Sequence, residues 1–291
     1  MGDWLTRSFQ QYTVIWIVVS SLVGGVIGSG VKFVFEDLLR PVFGARRETR
    51  VTIRKYTTPL VRSAESLERR INNFVRNRTE DWYASSDYYR LSTLYCFADY
   101  LAWVRVIEEE FGFLPYESSR YGRRFNQRFR GPFKALSSFS YFHWSHDTAA
   151  VDSSQLPRLI LTAMGEVALD AEGTAPMRFS QFALAHERDA QLRRWYADLD
   201  AFLRQATEGK PYVIDRLIAA GANLRALIAF LDSTGSLVPE RRISNIELMP
   251  HPEVATRVRA DFPELFVKRN FFQQVVSHAV RRSGSAGQLG R

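Results

Sequence analysis

The longest apolar stretch of the chain lies close to its N-terminus. No charged residue occurs between Arg7 and Lys32, and the apolar centre of this stretch, residues 14–31, is 18 residues long. A helix that rises about 1.5 Å per residue would span roughly 27 Å over this length, close to the ~30 Å hydrocarbon core of a bilayer. The pattern therefore predicts a transmembrane helix over residues 13–35, preceded by a short N-terminus of residues 1–12.

Two other interpretations of this stretch are considered. A cleaved secretory signal has a basic start and an apolar run of about 7–15 residues. Here Arg7 is the only basic residue before the run, and the run is longer than that. A buried core helix is the second alternative, but such helices are seldom apolar on every face over this length. The membrane anchor is the favoured interpretation.

Basic residues on the two sides of the span predict its orientation. Arg7 alone precedes it, whereas seven Lys and Arg residues follow within 32–55. Cytoplasmic flanks carry the excess of Lys and Arg, so the long C-terminal part is predicted to be cytoplasmic and the N-terminus to lie outside. The single cysteine, Cys96, agrees with a reducing compartment because it cannot form an internal disulfide.

The segment after the span, residues 36–57, is a basic juxtamembrane segment. Basic residues next to an anionic leaflet are attracted to it by about 1 kcal/mol each. Anionic lipid thereby accounts for much of the formal charge of +8 without a nucleic-acid partner. The residues predicted to contact lipid headgroups are Arg46, Arg47, Arg50, Arg54 and Lys55.

Small residues recur at four-residue spacing within the predicted span. They form two adjacent faces, Ser20–Gly24–Gly28 and Ser21–Gly25–Ser29. Such faces let two membrane helices approach closely and associate by packing, although this spacing is also common in membrane helices by chance. Gly24, Gly25 and Gly28 are the predicted contacts of a self-associating anchor.

Residues 58–282 show helical periodicity nearly throughout, with no alternation of strands and helices. Thr58-Pro59 is typical of a helix start, and Arg62, Glu65, Glu68, Arg69 and Arg70 form a predicted solvated face of that helix. Residues 50–56 are consistent with a strand or with an earlier start of this helix, which is favoured. The fold class is all-α: a transmembrane helix followed by a multi-helix bundle and a flexible tail, 283–291. The predicted helices cover 58–78, 88–111, 120–138 with a break at Gly131-Pro132, 156–169, 179–206, 212–231 and 262–282.

Three of these stretches resemble a family of bacterial proteins. Residues 48–73 are similar to a helix that follows the membrane segment in an uncharacterised family of bacterial membrane-anchored proteins with a helical cytoplasmic domain. Residues 88–110 and 212–232 resemble the second helix and a late helix of that family. The resemblance implies a bacterial inner-membrane protein with a helical cytoplasmic body. It implies no activity, because the matching strings are helix-packing patterns.

The candidate chemical groups have simpler structural explanations. His143, His146 and Asp147 place two imidazoles and a carboxylate within five residues, but nothing nearby supplies the further ligands that zinc takes. The acidic residues 108–110 and the pair Asp198/Asp200 are typical of solvated helix ends rather than acid–base sites. Cys96 lies in an apolar run and is predicted to be an inert core thiol.

Charged residues inside apolar helices form a second group of candidates. Asp99 and Arg105 lie within the apolar helix 88–111 and are predicted to have structural pairing partners. The run 120–130 interleaves basic and aromatic residues, as single-stranded nucleic-acid sites do. An amphipathic helix with Phe125 and Phe129 facing the core explains that run equally well.

These patterns predict a non-catalytic interaction or scaffold module at the cytoplasmic face of the membrane. They assign no catalytic, cofactor-binding or metal-binding residue, because no phosphate-binding loop, nucleophile elbow or dinucleotide fingerprint occurs. The predicted partners are the lipid bilayer, a second copy through the anchor, and a protein of unknown identity. The alternative is a membrane-tethered enzyme or effector with an active site assembled from distant residues, or with a polyanion-binding surface.

Overall fold

The computed structural model describes residues 40–111, 120–238 and 245–266. The predicted transmembrane helix over 13–35, with Gly24, Gly25 and Gly28, lies outside these residues, as do the N-terminal 1–12 and the tail 283–291. Among the helices of the described ranges, none combines the length and the apolarity needed to cross a membrane.

The described part of the chain is all-helical, as the periodicity predicts. It contains no strand, and Leu169 and Pro176 form an isolated β-bridge. Short 3₁₀ helices cover Ile246–Leu248 and Pro263–Leu265. The α-helices are α1 (Arg40–Arg76), α2 (Trp82–Ser85), α3 (Asp87–Phe111), α4 (Arg120–Phe129), α5 (Gly131–Ser137), α6 (Thr148–Ser153), α7 (Arg158–Val167), α8 (Phe179–Arg188), α9 (Ala190–Thr207), α10 (Pro211–Leu231) and α11 (Pro252–Asp261).

The chain divides into two compact units. Of the described residues, the first comprises 40–55, 110–111 and 120–124, and the second comprises 56–109, 125–238 and 245–266. Within the first unit, Ile53 is buried and Lys55 Nζ lies 3.3 Å from Glu110 Oε1.

The second unit is built around helix α10. Every residue of α10 from Val213 to Ile228 is buried, and helices α5, α9 and α11 pack against it. A helix that is covered on all faces lies at the centre of a bundle, where the burial of its apolar side chains stabilises the fold. Helix α9 also packs on α7 and α8, and α5 contacts α7. The core of the bundle therefore lies along α10.

The predicted helix start at Thr58-Pro59 is wrong, because α1 runs without interruption from Arg40 to Arg76 and contains Pro59. A proline inside a helix removes one backbone hydrogen bond and costs about 3 kcal/mol. The apolar side chains on both sides of it offset that cost: Ile53, Leu60 and Val61 are all buried. The interpretation of residues 50–56 as helix rather than strand is confirmed.

Two further boundaries differ from the prediction. The helix predicted over 179–206 is two helices, because Asp189 is extended and its carboxylate accepts the Gln191 N–H at 2.7 Å, which caps α9. The last predicted helix does not begin at 262. Helix α11 ends there, and it begins after His251 with a proline in its first turn. Residues beyond 266 lie outside the described ranges.

Candidate functional site

An open groove on the second unit is lined mostly by polar and charged side chains. It lies between α1 and α3 and has a volume of about 500 Å³, within the range of about 300–1,000 Å³ typical of ligand sites. Its α1 residues recur every three or four positions, so they share one face of that helix. The groove is lined by Arg62, Glu65, Ser66, Arg69, Arg70 and Asn73 of α1 and by Cys96 of α3.

The groove is electropositive. Three guanidinium groups and one carboxylate line it, which gives a net charge of +2. Arg69 pairs with Glu65, and the Arg70 guanidinium lies 5.0 Å from the centre of the Tyr89 ring. Within the described ranges, Arg62 forms no ion pair and no side-chain hydrogen bond. Its charge is therefore available to a ligand.

Cys96 forms part of the wall of this groove. Its side chain is 9% exposed, and its Sγ lies 3.6 Å from Ser66 Oγ. The prediction of a buried thiol in an apolar run is confirmed. Since the chain has a single cysteine, a thiol reagent can react with the protein only at this position in the groove wall.

The predicted solvated face of α1 is correct at two of its five residues, whereas Glu65 and Arg70 are partly buried. Arg62 and Arg69 are exposed, but Glu68 is buried. Its carboxylate accepts a hydrogen bond from Asn72 Nδ2 at 2.7 Å. A buried carboxylate needs such donors, because a charge without partners is costly in the interior.

A second polar cluster joins α10 to α11. The Asp215 carboxylate is completely buried and lies 2.5 Å from His251 Nδ1. Burial raises the pKa of Asp215 to about 6, while hydrogen bonds from the His251 side chain and backbone oppose this rise. The other carboxylate oxygen, Oδ1, has no hydrogen-bond partner within the part of the chain described here.

Aromatic rings cover the imidazole of this pair. His251 stacks on Tyr212 with ring centres 4.5 Å apart, and Trp144 lies 5.1 Å from His251. Ser145 Oγ lies 2.8 Å from the Tyr212 hydroxyl. A carboxylate–imidazole pair can act in acid–base chemistry, but only with a substrate within hydrogen-bond reach. Here the rings of Tyr212 and Trp144 occupy the space beside the imidazole. The cluster therefore packs the loop that follows α5 against α10 and α11.

The stability of the fold should depend on pH through Asp215. Asp215 has its pKa raised from 3.8 to about 6, so the folded state holds this proton more tightly than the unfolded state does. The resulting stabilisation is complete below pH ~4 and is lost as the pH rises through about 6. Relative to an Asp215→Asn variant, the unfolding free energy of the unmodified chain should fall by up to about 3 kcal/mol across this window. Urea titrations at several pH values measure this difference, and a constant difference would contradict the assignment.

Arg216, next to Asp215 on α10, is completely buried and serves as a C-terminal cap for two short helices. Its Nη1 donates to the carbonyl oxygens of Ala135 (3.0 Å) and Ser138 (2.7 Å), and its Nη2 to that of Val151 (3.1 Å). Its guanidinium also lies 4.6 Å from the Phe142 ring centre. Burial lowers the pKa of Arg216 to about 10, so it remains charged at neutral pH.

The other candidate groups, for which the sequence favours structural roles, do not meet in one place. His143 and His146 are exposed, and Asp147 caps α6 by accepting the Ala150 N–H at 2.9 Å. In the described ranges no group of His, Cys, Asp and Glu side chains could hold a metal ion. Asp200 accepts hydrogen bonds from Tyr83 and Arg204, which gives this acidic residue a structural role.

The two charges predicted to be paired inside α3 behave differently. Arg105 is paired, as predicted, with Glu109 and with Glu166 of α7, each at 3.1 Å. Asp99 has no ion pair among the residues described. Burial raises its pKa, and a hydrogen bond from the Ser63 side chain opposes this rise, so its partner is a neutral group.

The basic and aromatic run 120–130 forms the amphipathic helix α4 as predicted. Phe125 and Phe129 are buried and stack with ring centres 5.1 Å apart. Arg128 pairs with Glu264 at 2.9 Å. The aromatic residues are therefore packing groups and are not available to stack on bases.

The predicted lipid contacts all lie on helix α1. Arg46, Arg47 and Arg50 are within its helical span, and the side chains of Arg54 and Lys55 are exposed. The part of the predicted juxtamembrane segment 36–57 that the structure describes, from Arg40, is thus helical.

Comparison of the chain with protein-family models, with curated proteins and with solved structures yields no match. The functional argument therefore rests on the chemistry of the described residues. The groove combines a net positive charge with an open shape, and the Asp215–His251 pair is packed among aromatic rings.

Proposed function

We propose that this protein is a single-pass protein of the bacterial inner membrane that presents a helical, non-catalytic interaction module at the cytoplasmic face. One observation supports the proposal: helix α1, which the structure describes from Arg40 onward, carries Arg46, Arg47, Arg50, Arg54 and Lys55 soon after the apolar run in the sequence. A helix that follows a membrane span directly can hold its basic residues at the level of the lipid headgroups.

The energetic scale of this contact is modest. Five basic residues at about 1 kcal/mol each set an upper limit near 5 kcal/mol for attraction to an anionic leaflet. The apolar run accounts for anchoring and the basic helix for orientation and lipid preference. Exposed charges of this kind are screened over about 10 Å at 0.1 M salt, so the lipid contact is salt-dependent.

An enzyme with a non-local site is the alternative function. Asp215 and His251 would be its acid–base groups, and the raised pKa of Asp215 agrees with such a role. The interaction module is favoured because Tyr212 and Trp144 pack against the imidazole and take the place of a substrate.

The lipid contact can be measured with a dye on helix α1. Val51 is 59% exposed and lies among the basic residues, so Val51→Cys in a Cys96→Ser background accepts a label there. With the full chain in vesicles that carry a headgroup-level quencher, we expect stronger quenching in anionic than in neutral lipid. The difference should fade with added salt.

Two variants separate charge from fold. Replacing all five basic residues with Gln should abolish the lipid dependence, whereas replacing the four arginines with Lys should retain it because the charge is kept. Lipid-dependent quenching that persists in the Gln variant, or in high salt, would assign these residues to the fold or to orientation alone.

A further inference from the structure

The arginines of the groove have a regular arrangement along helix α1. Arg62 and Arg69 are seven residues apart, which places them two turns apart on one face, about 10 Å along the axis. Arg70 follows directly and is held over the Tyr89 ring, and Tyr89 in turn donates a hydrogen bond to Asn73 at 2.9 Å. The groove therefore has two positively charged positions, Arg62 at one and Arg69 with Arg70 at the other.

We propose that this groove docks an acidic peptide segment of a protein partner, whose carboxylates contact Arg62 at one point and Arg69 and Arg70 at the other. The inference rests on the proposed function as an interaction module and names the chemistry of its partner. The guanidinium group suits this role, because its planar fork of donors matches a carboxylate in two parallel hydrogen bonds.

The existing contacts leave these charges available. Arg62 has no ion-pair partner within the described ranges. The Arg69–Glu65 pair joins side chains that are 50% and 16% exposed, so half of the Arg69 side chain is still open to solvent. An incoming carboxylate can share this guanidinium with Glu65, because a guanidinium group has five N–H donors. Ser66 and Asn73 supply further polar groups along the same face.

The shape of the groove favours a peptide over a small molecule. Small ligands are held in clefts that enclose most of their surface, whereas this groove is more open than enclosed. The C-terminal residues 267–291 are not a suitable occupant, because they contain five basic residues and no acidic one. The occupant is accordingly an acidic segment of another protein.

A binding experiment with the full chain in uncharged detergent tests this proposal. The probe is a fluorescein-labelled peptide in which Glu alternates with Ala, and its anisotropy is followed at about 0.1 M salt, where charges more than about 10 Å apart are largely screened. The triple variant Arg62→Gln, Arg69→Gln, Arg70→Gln should bind the probe at least about tenfold more weakly than the unmodified chain, since it loses all three charge contacts.

A matched control variant removes three positive charges at positions outside the groove. The triple variant Arg158→Gln, Arg188→Gln, Arg194→Gln changes three exposed arginines outside the groove and should bind the probe within about twofold of the unmodified chain, because distant surface charges act weakly. Equal losses in both triple variants, or no binding by the unmodified chain, would overturn the proposal.

Cys96 provides a second, local readout. Because it is the single thiol and lies in the groove wall, the bound peptide should slow its reaction with a small neutral maleimide, and the groove triple variant should lose this protection. Peptide binding without protection of Cys96 would place the contact elsewhere and overturn the proposal. Equal protection by phosphatidylglycerol vesicles would identify the groove as a lipid-binding face instead. Neither result bears on the anchor, which the dye measurement on α1 tests separately.

Discussion

Replacing Arg216 with Met should lower the unfolding free energy by about 3–5 kcal/mol. Met has similar length but no donor, so the variant removes the hydrogen bonds of Arg216 to the carbonyl oxygens of Ala135 and Ser138 and to Ser154 Oγ. It also leaves the Val151 carbonyl with the bond from Ser154 Oγ alone. Each buried acceptor that loses its donor costs about 1–3 kcal/mol. The loss of the contact with the Phe142 ring adds to this cost.

A surface arginine supplies the control for this prediction. Arg204 on α9 pairs with Asp200 at 2.9 Å, but its side chain is 48% exposed. Arg204→Met should change the unfolding free energy by less than about 0.5 kcal/mol, because water replaces the lost partner. Urea unfolding followed by circular dichroism compares the two variants. Equal effects would mean that Arg216 does not hold the ends of α5 and α6.

Replacing Gly165 with Ala should destabilise the fold by about 1–3 kcal/mol. Gly165 lies where α7 approaches α3, and a Cβ at this position would lie 2.6 Å from the Leu101 carbonyl oxygen and 3.0 Å from its carbonyl carbon. These are backbone atoms of a packed helix. The clash is therefore relieved only if α7 and α3 move apart, which loosens the packing between them.

Gly221 of α10 provides a matched substitution with the opposite expected sign. A Cβ there meets only Ile71 Cγ2 at 3.6 Å, an ordinary contact. Alanine is favoured over glycine inside a helix by about 0.5–1 kcal/mol, so Gly221→Ala should be neutral or stabilising. If both substitutions destabilise equally, the close approach of α7 to α3 is not what constrains Gly165.

Helices with strong local signals were predictable from the sequence. Predicted limits of 88–111 and 212–231 agree within one residue with α3 and α10. The break at Gly131-Pro132 is also correct, since α4 ends at Phe129 and α5 begins at Gly131. In each case the apolar period and the end signals lie within one stretch of chain, which is the information that a sequence pattern contains.

Features that depend on tertiary contacts were not predictable. Pro59 remains helical because buried residues flank it, although proline at this position is typical of a helix start. Asp215 and His251 are 36 residues apart, and no spacing rule connects them. Arg216 lies within an apolar stripe. Its partners are backbone carbonyl oxygens, which every residue has, so the sequence does not indicate which of them Arg216 contacts.

The groove was predictable only in part. The sequence places Arg62, Glu65, Arg69 and Arg70 on one face of a helix, as the structure has them. It does not show that α3 lies beside this face with Cys96 in the wall, because that contact depends on how the helices pack. The basic face is thus a property of one helix, and the concave site is a property of the bundle.

The most direct test of the central proposal is a pair of topology reporters fused after Arg291 of the full chain. One reporter is active only in the cytoplasm and the other only outside it. The basic residues that follow the predicted span predict a cytoplasmic C-terminal part, so the first fusion should be active and the second silent. The reverse result, or a chain that is not retained in the membrane fraction, would contradict the anchored cytoplasmic module.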